Sequence, residues 1–417
     1  MKPICIIVQN VYDIDPRVRR KAAALVGAGF SVDVLALSDG RTTKTYTLNG
    51  VQVHALRLGR ERGSLFRYTF EYAAFFLWVL FRVSFLMWRK RYSMIEVNTL
   101  PDFLIFAAVP ARWMGARLVL DMHEITPEFY ISKYGTAKWL DRCWVSFLKY
   151  VERISFNTAD FVITISEPIR DLLISRGLDP SKTIVVINAV DEDRFALRGD
   201  HPAVRGPDPF VLVYHGTLAR IYGLDIAIEA FYLAQGEMPG AELWILGSGP
   251  EEKALADLVR ERGLSEKVKL PGQIPFAEIP KWLDKCTVGV LPIRRDVFLD
   301  FAFPNKLPEF IITGKPVLMS NLKGIRYYFS EEALAYFRPN DPADLAKQMV
   351  RVYRNRALRD RLAAKAKAEY QPLRWELMSQ LYLRLIAEAA GCKCPVTERP
   401  RPSDTTTVGR ESPAGRV

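Results

Sequence analysis

Along most of the chain, short runs of β-branched and other apolar residues alternate with longer stretches that repeat apolar positions at three- and four-residue spacing. A continuous apolar run fits a strand buried on both faces, and the longer pattern fits an amphipathic helix. In the first half the runs predict strands near Ile4–Val8, Ser31–Leu37, Val51–Leu56, Met94–Val97, Arg117–Asp121, Phe161–Thr164 and Thr183–Ile187. A polar, Pro- and Gly-containing stretch, RGDHPAVRGPDP from Arg198 to Pro209, interrupts the alternation. It resumes with strands near Phe210–Tyr214, Glu242–Leu246, Val268–Leu270, Val288–Leu291 and Pro316–Met319. Such alternation predicts parallel sheets covered on both faces. The expected fold class is therefore α/β, with two doubly wound domains, 1–197 and 198–371, facing each other across a cleft. In such sheets ligands bind at the carboxyl ends of the strands. The polar, Pro-rich stretch 395–417 is expected to be disordered.

One segment departs from this rhythm. FEYAAFFLWVLFRVSFLMW, Phe70 to Trp88, is almost uniformly apolar, with Arg60, Arg62 and Arg67 before it and Arg89-Lys90-Arg91 after it. Its longest uncharged run, Tyr72 to Phe81, falls well short of the ~20 residues that a bilayer span needs. The segment is expected either to enter the core or to lie in a membrane interface, where basic flanks and aromatic rings suit anionic headgroups.

Composition narrows the partners. At 417 residues the chain exceeds one ordinary core, which agrees with two domains. The formal charge of +11 permits nucleic acid, anionic lipid or phosphorylated metabolites as partners. No lysine-rich run or RNA-binding signature is present, so nucleic acid is not expected. Five cysteines, an odd number and mostly far apart, suit a reducing compartment better than a disulfide framework. The opening MKPICIIVQN is too short in its apolar run for a signal peptide and reads as a first strand. These features point to the cytoplasm, peripheral to the inner face of the cell membrane.

The chemistry concentrates at strand ends in the second half. In FAFPNKLPEFIITGKPV, Phe301 to Val317, Asn305, Lys306 and Glu309 open a helix that Pro304 suits at its start and Gly314 at its end. Lys306 and Glu309 are three residues apart and share a helix face, so both point into the same space. The plain alternative is a surface ion pair. Three further strand–helix junctions converge on this helix: VYHGTLARIYGLD with Gly216 and Arg220, WILGSGPEE with Gly247 and Gly249, and LPGQIP with Gln273. A helix N-terminus and Lys306 together favour a negative group at that point.

Taken in order, these segments resemble the family 4 glycosyltransferases, retaining enzymes of two Rossmann-like domains in the GT-B fold. The resemblance spans roughly residues 1 to 390. It includes DPRVRRKAAALVGAGFSVDVLAL, NTLPDFL, LVLDMHEITPEFY, VITISEPIRDLL with VVINAVDEDRF, HGTLARIYGLD, LGSGPEE and PNKLPEFIITGKPV. QPLRWELMSQLYLRLI, within 372–391, is similar to the family's last helix, which crosses back to the first domain. The resemblance implies donor-nucleotide contacts from Gly216, Arg220, Gly247, Gly249, Gln273, Asn305, Lys306 and Glu309. Glu309 matches the second glutamate of the family's E-x7-E motif, which holds ribose hydroxyls. Arg220 and Lys306 match the cations that neutralise the donor diphosphate, and His123 matches a histidine near the transferred sugar. These three are the implied catalytic residues. Asp15, Arg17, Asn98, Glu124 and Glu128 are implied on the acceptor side, although Asp15 and Arg17 also suit capping of the first helix.

The chain departs from the family pattern at two places. Phe301 stands where the first E-x7-E glutamate falls, with Asp300 one residue away. Thr217 and Tyr222 stand where an Arg and a Lys are common. The implied function is metal-independent sugar transfer from a nucleotide-sugar, UDP-linked, to a glycan or polyprenyl-linked saccharide in bacterial surface-polysaccharide assembly. The nucleotide-sugar is a substrate, and no cofactor or metal is expected. The alternatives are a nucleotide-sugar epimerase of the same fold and an inactive partner in a polysaccharide assembly complex.

Overall fold

The computed structural model describes residues 2–38, 40, 45–58, 65–136, 138–190, 192, 195 and 209–393. The expected linker before Pro209 and the expected disordered tail lie outside these residues. Two sheets organise the molecule. Strands β1 (Pro3–Val11), β2 (Ser31–Leu37), β3 (Thr45–Leu48), β4 (Val51–Leu56), β5 (Met94–Asn98), β6 (Arg117–Met122), β7 (Phe161–Thr164) and β8 (Thr183–Val185) form the first, in the order β3-β4-β2-β1-β5-β6-β7-β8. All neighbours in it are parallel except the β3–β4 pair. Strands β9 (Phe210–His215), β10 (Ala241–Leu246), β11 (Val268–Gly272), β12 (Val288–Leu291), β13 (Val317–Ser320) and β14 (Ala335–Phe337) form the second, all parallel, in the order β11-β10-β9-β12-β13-β14.

The apolar runs become strands because successive side chains serve opposite faces. In β1, Ile4, Ile6 and Val8 enter one core cluster while Cys5, Ile7 and Val11 enter another. Helices α1 (Pro16–Gly27), α2 (Leu65–Lys90), α3 (Val109–Trp113), α4 (Thr126–Tyr134), α5 (Trp139–Thr158) and α6 (Glu167–Ser175) cover the first sheet. The second carries α7 (Leu224–Ala234), α8 (Glu252–Glu261), α9 (Ile279–Asp284), α10 (Lys306–Ile312), α11 (Lys323–Arg326), α12 (Pro342–Arg354) and α13 (Arg356–Tyr370). The last helix, α14 (Trp375–Ala389), packs against α1 and β6 of the first sheet.

The apolar segment divides by face. In α2, Phe75, Val79, Val83, Leu86 and Met87 are buried in the core, while Phe70, Leu77, Phe81, Phe85 and Trp88 are exposed. Among the described residues it is one helix, Phe70–Lys90, long and apolar enough to cross a bilayer, yet its inner face belongs to the core. Of its basic flank, Lys90 is committed inward, its Nζ donating to both Asp33 oxygens at 2.8 and 2.7 Å.

Candidate functional site

The candidate donor side, as the sequence predicts it, lies where β9, β10, β11 and β12 end. Gly216, at φ 123°, follows His215, and a Cβ there would collide with Cε and Nζ of Lys306. Only glycine accepts that backbone without strain, so the turn lets the lysine lie against the main chain. Gly247 and Gly249 answer a similar need, since side chains on them would strike the backbone of Gly216 and Leu218. The loops are laced together: Leu218 N–H donates to Ser248 O (2.9 Å) and Gly247 N–H to Gly272 O (2.8 Å).

Lys306 opens α10 as expected, but it forms no ion pair with Glu309 among the described residues. Its Nζ lies 4.4 Å from the Tyr222 ring centroid and 5.4 Å from that of Tyr214. Burial pushes the ammonium below its ordinary pKa, and the Glu309 carboxylate offsets this only in part. Helix α10 has only seven residues, so its macrodipole is small beside the lysine charge. Glu309 is buried, with Oε2 3.0 Å from His215 Nε2 but without hydrogen-bond alignment. The Arg220 guanidinium is exposed on the loop after β9, and Gln273 is exposed after β11. Asn305 reaches across the cleft, its Oδ1 accepting from Asn188 Nδ2 at 3.0 Å.

The opposing wall comes from the first sheet. His123 directly follows β6, its N–H donating to Thr99 Oγ1 at 3.1 Å. Its Nε2 lies 2.7 Å from Asp121 Oδ2 and 3.1 Å from Asn98 Oδ1. A carboxylate only accepts, so Nε2 carries the proton. Burial, against the pull of Asp121, lowers the imidazole pKa. The ring is therefore neutral at pH 7, and Nδ1 is a buried acceptor with no hydrogen-bond partner among the described residues. Beneath it, Lys21 pairs with Asp121 and, at 3.2 Å, with Glu96, whose other oxygen accepts from Tyr382 Oη at 2.6 Å. Arg17 lies within electrostatic reach of both His123 and Glu124, and Glu124 within reach of Tyr222 on the donor side.

The remaining candidates serve the fold. Asp15 caps α1, Oδ1 accepting from Arg17 N–H (3.1 Å) and Val18 N–H (3.3 Å). Burial would raise its carboxyl, but Arg17 and these bonds hold it below the ordinary value. Glu128, expected on the acceptor side, is instead bound to Arg176, which also donates to Glu152 Oε1 at 2.8 Å. Asp300 does not stand in for a sugar-contacting glutamate, because it accepts from Lys323 N–H (2.9 Å) and from Arg295 (3.0 Å). Phe301 lines a cavity of ≈ 440 Å³ with Lys323, Arg326, Leu172 and Asp171. Sequence reasoning missed His215, which directly precedes Gly216 at the strand end. It also missed Lys21, which shares an apolar helix face with Val18, Ala22 and Leu25.

Comparison with known proteins adds to this geometry. Residues 14–189 match the glycosyl transferase 4-like domain, and residues 209–355 match the glycosyl transferases group 1 family. The colanic acid biosynthesis glycosyltransferase WcaL of Salmonella typhimurium is 30% identical over 172 residues, 41% of each chain. The amylovoran biosynthesis glycosyltransferase AmsK of Erwinia amylovora is 28% identical over 218 residues, 51% of this chain and 53% of that one. The chain thus spans about half the length of the curated relatives it matches. Among solved structures, Anabaena HepE in complex with UDP superposes with a TM-score of 0.69 at 17% identity, covering 93% of this chain and 100% of that one. With one family match on each sheet and this architecture, the chain belongs to the group 1, family-4-like glycosyltransferases of the GT-B fold.

Proposed function

We propose that the protein transfers a sugar, with retention of anomeric configuration, from a UDP-sugar to a glycan or lipid-linked saccharide in bacterial surface-polysaccharide assembly. The single observation that carries this reading is the half-buried, desolvated Lys306 ammonium, held at the Gly216 turn without an ion-pair partner among the described residues and across the cleft from a neutral His123. A desolvated cation that Glu309 offsets only in part is costly, and an entering diphosphate compensates it. As the donor bond breaks, charge develops on the departing diphosphate, and Lys306 with the exposed Arg220 stabilises it without calling on a metal ion. Glu309 accepts from the ribose hydroxyls, and His123 Nδ1 accepts from a hydroxyl of the transferred sugar. The first domain, residues 1–197, holds the acceptor and 198–371 the donor, while 372–391 ties them together. Two relatives named for colanic acid and amylovoran biosynthesis and a fold neighbour solved with UDP support the donor and pathway class. A lipid-linked acceptor places the protein at the cytosolic membrane face.

The test is nucleotide release from a panel of UDP-, GDP- and ADP-sugars, in EDTA, with and without polyprenyl-linked saccharides. Acceptor-dependent release of UDP is the expected result. Release restored only by Mg²⁺ or Mn²⁺ overturns the metal-free mechanism, and sugar conversion without any acceptor overturns transfer.

A further inference from the structure

The N-terminal half of α5 is only thinly covered by the fold. Val145, Glu152, Ser155 and Phe156 face inward, whereas Trp139, Leu140, Trp144, Phe147 and Tyr150 are exposed, Trp139 by 67% and Trp144 by 47%. At roughly 100° per residue, these five residues fall on one outward arc. Arg142, Lys149 and Arg153, all exposed, run along one edge of that arc. The helix therefore has three faces, one buried, one aromatic and one basic. Asp141, the acidic residue of its first turn, is occupied locally, accepting from Lys138 N–H at 3.2 Å.

We propose that this face of α5 docks the protein on an anionic bilayer surface, a proposal that rests on the lipid-linked-acceptor reading above. An aromatic arc with a basic border is the arrangement of a helix lying in the headgroup region. Trp and Tyr favour that region because their rings are apolar while their N–H and O–H remain hydrated. Tryptophan placement gives independent support. Trp88, Trp113, Trp139 and Trp144 are exposed, and all four belong to α2, α3 and α5 on one side of the first sheet. Helices α2 and α5 both pack on the 3-10 segment Asp102–Ala108, so their outward faces belong to one helical layer. The exposed Phe81, Phe85 and Trp88 of α2 extend the apolar surface.

A second copy of the chain fits this face less well. A two-fold pairing sets the same patch against itself and would bring Arg142 and Lys149 near their own counterparts. Anionic headgroups meet the same residues with opposite charge. Position also fits the acceptor. Helix α5 packs on α4, whose Phe129 ring lies 5.4 Å from Phe298 and whose Ser132 Oγ donates to Asp296 at 2.6 Å. The docking helix is thus one helix diameter, ~10 Å, from the wall that meets the second domain. A saccharide whose lipid tail stays in the bilayer needs that proximity.

The experiment is flotation of the full chain with phosphatidylcholine vesicles, with and without phosphatidylglycerol. Wild type is compared with the pairs Trp144→Ser/Phe147→Ser and Arg142→Gln/Lys149→Gln, after circular dichroism shows that each folds. Both pairs replace exposed residues, and UDP affinity by calorimetry serves as their common reference. Wild type is expected to float with the anionic vesicles, more weakly in high salt. Each pair is expected to bind roughly tenfold more weakly or worse, with UDP affinity unchanged. Tryptophan fluorescence should shift to the blue on vesicle binding, less so in the Trp144 pair. Wild type that stays unbound, or that binds both vesicle types equally, overturns the proposal. So do variants that float as well as wild type, or a wild-type dimer that the variants dissociate. Vesicle binding without UDP binding would leave docking standing and remove the donor-site reading instead.

Discussion

At the level of single residues, the site turns on charges that the fold leaves partly uncompensated. Lys306 is desolvated and faces aromatic rings, which attract a cation but do not neutralise it. Lys306→Ala is expected to weaken UDP binding and to lower turnover by a factor matching ~3 kcal/mol, the usual loss for one stabilising group at a developing charge. Unchanged calorimetric affinity together with unchanged turnover would remove the lysine from the site. Glu309→Gln should reduce affinity for UDP more than for its 2′,3′-dideoxy analogue, because a carboxylate accepts from both hydroxyls. Equal losses for the two ligands would rule out the ribose contact. Just beyond the carboxyl end of β5, burial first and then Glu152 push the Asp102 carboxyl up to about 7. A raised folded-state pKa means the native state binds the extra proton, so this stability is present below pH 4 and is lost as pH rises through 7. The gap from 3.8 to about 7 corresponds to roughly 4 kcal/mol at most. Asp102→Asn should therefore raise the melting temperature at pH 8 more than at pH 5, and a uniform shift at both would contradict this. Residue identity made Lys306 and Glu309 legible in the sequence. It could not separate Glu124 from Glu128, four residues apart, because only the position of Arg176 decides that one carboxylate is internally bound.

At the level of elements, local pattern was a reliable guide wherever burial was strong. The twelve expected runs all became strands, the central ones because both faces of each sheet demand apolar side chains at successive positions, while the edge strand β11 alternates buried or half-buried with exposed residues. The two strands not anticipated, β3 and β14, lie at sheet edges and are only four and three residues long. β3 alternates exposed threonines with half-buried Tyr46 and Leu48, which is an antiparallel edge pattern rather than an apolar run. α2 shows the converse limit. An all-round apolar helix was legible, but which side enters the core depends on the sheet beneath it. The strand-end turns give a direct test. Gly216→Ala should destabilise the fold by on the order of 1–3 kcal/mol and weaken UDP binding, since it strains φ and displaces Lys306. Gly236→Ala is the control, with no positive φ and nothing within 4 Å of the added methyl. Chemical denaturation showing equal effects at the two positions would refute the packing of Lys306 on that turn.

At the level of the whole molecule, α14 connects the two domains through chemistry as well as packing. Tyr382 donates to Glu96, Glu96 receives Lys21, and Lys21 holds Asp121 beside His123. Tyr382→Phe leaves a buried carboxylate oxygen short of one donor, which typically costs ~1–3 kcal/mol. It should lower thermal stability and slow transfer while leaving UDP affinity unchanged, because the loops proposed to hold the donor belong to the other sheet. A variant that weakens UDP binding as much as it slows transfer would place the network elsewhere in the mechanism. The sequence by itself determined the two parallel sheets, the strand-end loops that face the cleft, and the lysine and glutamate of α10. These follow from periodicity and turn chemistry acting over a few neighbouring residues. The tertiary structure alone decided which charges are paired, which are desolvated without a close ion pair, and which aromatic rings stay in water. Glu96 and Tyr382 are 286 residues apart, and His123 presents Nδ1 as an acceptor because β5 and β6 bring Asn98 and Asp121 to Nε2, while exclusion of solvent keeps the ring neutral against the pull of Asp121. Burial and pairing are properties of contacts between distant segments, and no local pattern encodes them.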